Sequence, residues 1–518
     1  MASADIATLP TLGLTEQEVR IASFLATRLF EQRPYLQLRG LYYDGLQKMQ
    51  DLGISIPPSL SKLRTVIGWP RVGVDAISNR CRVEGFRYPE QPKTDADVWS
   101  IWQANNLDSE SQLAHIDALV YGRCYLVVGS GDDTTFGQPL VTAESPLNMT
   151  ALWDARMRRV TAAFQVYLDS DFTSDMYGQQ IAALYLPNST IHLGRQGTNI
   201  LNNKNAGGWQ VITRDNHMLG RVPVVRMANR CRLNNRDGLS EITPEWMNTT
   251  DSATRTLLSM ELGREFYAAP RRYILGASED QFVKSDGSPV SAWETYLSKV
   301  WAIPAPDDGA PNPQVGEFKS GDPKAYTELI DAYAKIMSGE MGVPPHFLGV
   351  YSDGNPASAD AIRSGYEELT VRSTNKHIQF GDAWEDAMRL ALLIRDGSLP
   401  PESYRMETDW MDPSPRTPAS TAQAIFQMVE AGAVPPTSDV ITKRLGFSAM
   451  ERAQMVLDRE KDQAEGILAE LSHTLIGKAA RVDKAMFADI AASDTVPGTP
   501  GKKIPVAEPA APVEPAKP

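Results

Sequence analysis

A mainly helical α+β fold is predicted for this chain of 518 residues by three observations. Apolar residues recur at helical spacing near the start and again over long tracts after position 243. Between about 123 and 226, by contrast, short runs rich in Val, Ile, Thr and Tyr alternate with turn residues. The last hundred or so residues read as three more helices joined by Pro and Gly, followed by a proline-rich end. Length as a soft prior allows three or four structural units, each able to bury a core.

The first helix is announced by "TEQE", where Thr15 and Glu18 have the spacing of a capping box, and by Val19, Phe24, Leu25 and Leu29. The stretch "YLQLRGLYYDGLQKMQDLGISIPPSL" reads as short helices punctuated by Gly and Pro, and the next helical core starts after Pro70. Trp99 and Trp102 stand three apart in "VWSIWQANNLDSESQLAHIDALVYG", as inward-facing helix neighbours do. The β-rich unit then comprises "CYLVVG", "LVTAES", "VTAAFQVYL", "IAALYL", "TIHLG" and "WQVIT".

Thr243-Pro244 opens a helical tract striped by Trp246, Ala253, Leu257 and Met260 and ended by Pro270. A compact α+β insert of about fifty residues follows, with a turn at Ser285 to Gly287 and a short helix in "SAWETYLSKV". "DPKAYTELIDAYAKIMSGEMG" returns as a helix capped by Asp322. A polar Gly/Pro loop leads to "NPASADAIRSGYEEL", in which Asn355 caps and Pro356 opens a helix running to about Arg395. Forty residues at 1.5 Å rise would span about 60 Å, the length of a structural column.

Composition narrows the function. The net charge of -13, from 51 basic and 64 acidic residues, disfavours static gripping of nucleic acid, which needs cations against phosphates. It does not exclude DNA as a passenger past a repelling wall. The first 14 residues lack the basic n-region of a secretory leader, and no apolar run reaches the length of a membrane span. Cys81, Cys124 and Cys231 are far apart and form no CxxC pair, so reduced thiols packed in the fold are expected.

The residues that carry chemistry elsewhere are not arranged to do so here. "IGKAA" lacks the first glycine and the hydroxyl of a P-loop, and "VVGSGDD" reads as a hairpin turn. The six histidines form neither HxH nor HExxH, "DSD" at Asp169 to Asp171 lacks the rest of a calcium loop, and no base can be assigned to Ser352. No catalytic residue, metal or cofactor is therefore expected. Arg226, Arg230, Arg232 and Arg236 read as ion-pair partners more readily than as a phosphate patch, and "RMRR" at Arg156 to Arg159 lies beside a strand. Arg271 and Arg272 enter the insert, where an acidic partner would suit them. "TSDVITKRLGFSAMERAQM" has the outline of a helix-turn-helix but few base-reading groups, which favours a plain helical hairpin.

Several long motifs resemble the portal proteins of tailed bacteriophages, above all those of long-tailed phages of actinobacteria: "YYDGLQKMQDLGISIPPSL", "WPRVGVDAISNRCRVEGFRYPE", "GVPPHFLGVYSDGNPASADAIRSGYEEL" and "AGAVPPTSDVITKRLGF". The resemblance covers most of residues 15 to 460. It implies a subunit of a ring, normally a dodecamer, in the virion at one capsid vertex, made in the host cytoplasm. Through this ring a separate terminase motor drives double-stranded DNA. Its partners would be the terminase large subunit, a head-tail adaptor, and the major capsid and scaffolding proteins, with no membrane. The implied parts are a wing (1–242), a first stem helix (243–269), a clip (270–321), a second stem helix (322–341), a channel loop (342–358), a long wing helix and return (359–412), a helical crown (413–493) and a disordered tail (494–518). Val350, Tyr351, Ser352, Asp353, Gly354 and Asn355 would face the channel. Arg271, Arg272, Lys284 and Asp286 would meet a partner of the clip. The other classes left open are an enzyme, nuclease or phosphotransferase, with a lid before Pro356, and a helical DNA-binding regulator.

Overall fold

The computed structural model describes residues 13–47, 65–89, 94–170, 172–174, 176–195, 209–267, 272–275, 314–317, 323–350, 359–414, 418–436, 438–447 and 450–467. It divides into two compact units, Met1–Pro415 and Arg416–Pro518, and its α+β, mainly helical character agrees with the sequence.

In the first unit, α1 (Glu16–Asp44) begins with the capping box: the Thr15 hydroxyl accepts from the Glu18 amide and the Glu18 carboxylate from the Thr15 amide. Instead of breaking into short helices after Tyr35, α1 runs on through Pro34 and Gly40 to a left-handed cap at Gly45. Buried Leu36, Arg39, Gly40 and Tyr42 hold its second half. Gly40 lets the helix pack closely there: a Cβ would lie 2.9 Å from the Tyr121 hydroxyl, which would have to shift. Phe24 points outward and is 56% exposed; Ala22, Leu25, Ala26 and Leu29 form the buried stripe instead.

α2 (Trp69–Ser78) carries Pro70 in its first turn, so the helix opens two residues ahead of the expected point. The helical run containing the two tryptophans is interrupted. α3 (Ala96–Ala104) stops at Asn105, and α4 (Leu107–Tyr121) starts after Asn106, which is left-handed at φ 51°. The break is fastened by Asn105, whose amide donates to the carbonyls of Ile101 and Pro139 and whose carbonyl accepts from the Val141 amide. Trp99 and Trp102 do stack, with ring centroids 5.7 Å apart.

Eight strands follow. β2 (Arg123–Gly129), β3 (Leu140–Glu144) and β9 (Val224–Ala228) form an antiparallel sheet in the order β3-β2-β9. Between them, β4 (Met149–Asp154), β5 (Arg159–Leu168), β6 (Gln180–Tyr185), β7 (Thr190–Arg195) and β8 (Trp209–Asp215) form a meander. Strand alternation divides the meander's side chains between two layers. Ala162, Phe164, Ala182 and Leu184 pack under α1 with Leu25 and Leu29, while Ala163, Ala183 and Tyr185 pack with Tyr125 and Val224 of the other sheet.

α5 (Pro244–Tyr267) and α6 (Lys324–Met341) flank the insert, and they pack on each other. Within the insert, β10 (Arg272–Leu275) and β11 (Gln314–Glu317) pair antiparallel, Arg272 opposite Glu317. The predicted turn and short helix of the insert lie outside the described residues. The cap of α6 is Pro323, with no side-chain bond, and not Asp322 as expected. Proline suits a helix start because it has no amide hydrogen to leave unpaired.

α7 (Ala359–Asp396) is the predicted column, 38 residues long, or about 57 Å at 1.5 Å rise. The expected cap at Asn355 and Pro356 lies outside the described residues. Buried Leu369, Phe380, Trp384, Met388 and Leu392 make α7 the centre of the largest core, with Phe86, Trp102 and Leu119. β12 (Glu407–Trp410) closes this unit by pairing with β1 (Val83–Arg87).

The second unit contains α8 (Pro418–Glu430), α9 (Asp439–Leu445) and α10, a helix over 450–467. These match the three helices read from the sequence. Residues 494–518, expected to be disordered, lie outside the described residues.

Candidate functional site

The segment "GVPPHFLGV" is folded as a seat for whatever follows it. α6 ends at Gly342, left-handed at φ 66°, and the Ser338 hydroxyl donates to the Val343 carbonyl at 2.6 Å. A single 3-10 turn, Pro345–Leu348, follows, closed by left-handed Gly349. The Val350 amide donates back to the Pro345 carbonyl at 3.2 Å. Val343 and Leu348 are buried, and Val350 packs against the main core.

Tyr366, two turns into α7, fixes this seat to the column. Its hydroxyl meets His346 Nε2 at 3.0 Å, and its ring packs against those of His346 and Phe347 with centroids 5.7 and 5.8 Å away. The Arg80 guanidinium lies 5.6 Å from the same ring. Of the six loop candidates, Val350 is therefore placed at the edge of the seat. Tyr351, Ser352, Asp353, Gly354 and Asn355 lie outside the described residues. So do Arg271, Lys284 and Asp286; Arg272 begins β10.

Farther along the same helix, α7 grips both ends of the helical pair that flanks the insert. Arg372 Nη1 donates to the carbonyls of Glu340 (3.1 Å) and Met341 (3.0 Å), which would otherwise be unpaired at the end of α6, while its Nε holds Glu368 at 2.8 Å. One turn on, Lys376 Nζ lies 2.6 Å from Glu241 Oε1, three residues before α5, with side chains only 7% and 4% exposed. Asn229 Nδ2 also donates to Glu241 (3.0 Å), and Arg230 stands 3.7 Å away. Burial alone would raise the Glu241 carboxyl, but the charge and hydrogen bond of Lys376, helped by Arg230 and Asn229, hold it below the ordinary value. Arg372 and Lys376 open onto a polar cleft of about 530 Å3, shared with Glu245, Glu340, Asn375 and Gln379.

The remaining candidate chemistry is taken up by packing. His115 accepts from Trp384 Nε1 at 2.9 Å and stacks on Phe380, and burial lowers its pKa to about 3. His377 donates through Nε2 to the Arg80 carbonyl at 2.9 Å and stacks on Trp410 at 4.7 Å. Cys81 is buried, its thiol pushed up to about 12 by desolvation, and Cys124 is buried as well, whereas Cys231 is exposed rather than packed. Among the described residues no cluster of three or more His, Cys, Asp or Glu could hold a metal ion, and no helix is long and apolar enough to cross a membrane. In the arginine cluster, Arg226 pairs with Asp237 (3.3 Å) and Arg230 with Glu241, as the ion-pair reading expected.

Sequence reasoning missed Glu241, Tyr366, Arg372 and Lys376. For Lys376 a signal existed: it falls on the buried stripe of α7 with Leu369, Ser373 and Phe380, where an unpaired cation would be costly.

The family model described as "Phage portal protein, SPP1 Gp6-like" matches residues 23–466, and the chain belongs to that family. It is 33% identical to the portal protein of Mycobacterium phage D29 over 443 residues, 84% of this chain and 87% of that one. To the portal protein of Mycobacterium phage L5 it is 32% identical over 470 residues, 90% of each chain. A solved structure described as "Neck of native GTA particle computed with C12 symmetry" aligns over 76% of this chain and 95% of its own at 16% identity and a TM-score of 0.40, too distant a likeness to carry an argument.

Proposed function

We propose that this chain assembles, as a dodecamer, into the ring at one vertex of a phage capsid, conducts double-stranded DNA during packaging and ejection, and forms the platform on which head and tail join. The observation that carries this reading is the family match over residues 23–466. The role is structural, with the motor supplied by the terminase large subunit. A head-tail adaptor would dock on the ring, and the major capsid and scaffolding proteins would surround it. The ring belongs to the virion and is built in the host cytoplasm.

In this reading residues 1–242 are the wing, α5 and α6 the stem, 270–321 the clip, with Arg271, Arg272, Lys284 and Asp286 toward its partner, and 413–493 the crown. Residues 350–355 are the channel loop. The Tyr366 contacts support a loop that is firmly anchored at its first end, so that contact with DNA is made by the loop and not by movement of its seat.

The test is to shorten Tyr351 to Gly354 and measure ring assembly and DNA packaging separately. Rings are expected to form while packaging or retention of DNA falls. Failure of those rings to assemble would make the segment part of a subunit interface instead.

A further inference from the structure

The turn between β4 and β5 carries a concentration of positive charge that neither the fold nor the proposed conduit uses. Asp154 pairs with Arg159 across the hairpin, leaving a four-residue loop of Ala155, Arg156, Met157 and Arg158. All of these residues and Arg159 are exposed. The loop is rigid: Asp154 Oδ1 accepts from the amides of Arg156 (2.7 Å) and Met157 (2.9 Å). Its last residue, Arg158, is left-handed at φ 51°, a position where Gly or Asn costs less. Arginine there serves no local need of the turn. Arg156, Arg158 and Arg159 make no ion pair within 4 Å among the described residues: Arg156 and Arg159 act on the Asp154 carboxylate only through space, and Arg159 Nη2 donates to Met157 Sδ at 3.6 Å.

The foot of the same hairpin is also cationic. The Arg226 guanidinium lies 4.2 Å from the Trp153 ring, and Arg28, at 2.5 Å, shares the single carboxylate of Asp237 with it. Arg123 Nη1 donates to the Asp237 carbonyl at 3.4 Å.

We propose that this hairpin tip is a docking site for an acidic segment of a partner protein. Guanidinium forks match carboxylates two hydrogen bonds at a time, and Met157, 58% exposed among the arginines, offers the apolar contact that a peptide can use and a phosphate backbone cannot. Reach separates the two polyanions. At physiological salt charges are screened over about 8 Å, so a short acidic peptide meets only the local patch. A DNA duplex is far longer than that and also meets the rest of a surface whose net charge is -13. The proposal goes beyond the conduit reading and is testable whether or not rings form.

The experiment uses the full chain and a fluorescently labelled decaglutamate peptide, followed by anisotropy at low and physiological salt. A short DNA duplex serves as the competing probe. The variant Arg156→Gln/Arg158→Gly/Arg159→Gln removes the charge while giving the left-handed position the residue it favours. It is expected to weaken peptide binding about tenfold or more. Met157→Ala, which leaves every charge, is expected to weaken it less, and the duplex should displace the peptide poorly. Peptide binding that is absent, or equal in the variant, would overturn the proposal. So would a duplex that binds as tightly as the peptide and depends on the same arginines, which would make the tip a nucleic-acid contact.

Discussion

Replacing Lys376 by methionine leaves Glu241 buried without its principal counter-charge, and the cost can be bounded from the site. The Glu241 side chain is 4% exposed, so the variant cannot solvate the charge by a rotamer change alone. Its cheapest escape is to bind a proton. From an ordinary carboxyl value of 4.5, holding the proton at pH 7 takes two and a half pH units, or about 3.4 kcal/mol at about 1.4 kcal/mol per unit. Arg230, 3.7 Å away but 43% exposed, reduces the loss only in part. A destabilisation of about 3 kcal/mol is therefore expected at pH 7, within the range for breaking buried pairs. At pH 5 the same escape needs half a unit, about 0.7 kcal/mol, so the gap between variant and parent should narrow. The sign follows from the wild-type carboxyl being depressed: its stabilisation is complete above 4.5 and fades as pH falls through the lower folded value. Urea unfolding at both pH values measures this, with Glu241→Gln/Lys376→Met expected to recover most of the loss. A Lys376→Met loss under about 1 kcal/mol at pH 7, or one that is independent of pH, would refute the reasoning.

Other outcomes follow from single contacts. Gly342→Ala puts a Cβ 2.6 Å from Glu368 Cγ and 2.7 Å from Arg372 Nε at φ 66°, and should lower stability by about 1–3 kcal/mol in denaturant unfolding. Gly40→Ala should destabilise through its clash with the Tyr121 hydroxyl, and Tyr121→Phe in the same chain should restore part of the loss, as read by thermal unfolding. Glu18, held down to about 2 chiefly by the hydrogen bond from Arg214, contributes stability above 4.5 that disappears as pH falls toward 2, and Glu18→Gln should flatten that part of the pH-stability curve. The His115 ring should stay neutral in NMR titration down to about pH 3, and a ring that protonates near 6.5 would contradict its place in the core.

The fold was legible where local chemistry and packing agreed. Thr15 and Glu18 marked a true capping box, the β-rich composition marked the strands, and the uninterrupted run to Arg395 marked α7, which ends one residue later. Local signals failed where distant contacts overrode them. Gly40 and Gly45 looked like punctuation between short helices, but the buried second half of α1 keeps the helix intact across Gly40 to its cap at Gly45. The tryptophan-bearing run looked continuous, but Asn105 bonds across to Pro139 and Val141 and stops it. At the site, the long helix was visible from the absence of proline along it, yet the residues that fix it to the seat were not. Tyr366 and Lys376 act on partners 20 and 135 positions away, a pairing that periodicity along one helix cannot display.

The central claim is that subunits of this family member surround a DNA channel with residues 350–355 lining it. Cryo-electron microscopy of the assembled chain with DNA tests it most directly. A closed ring of twelve copies with density from the loop before α7 beside the duplex is the result predicted. Particles that remain monomers or dimers under conditions that also permit assembly with capsid protein, or a ring whose loop faces away from the DNA, would contradict it.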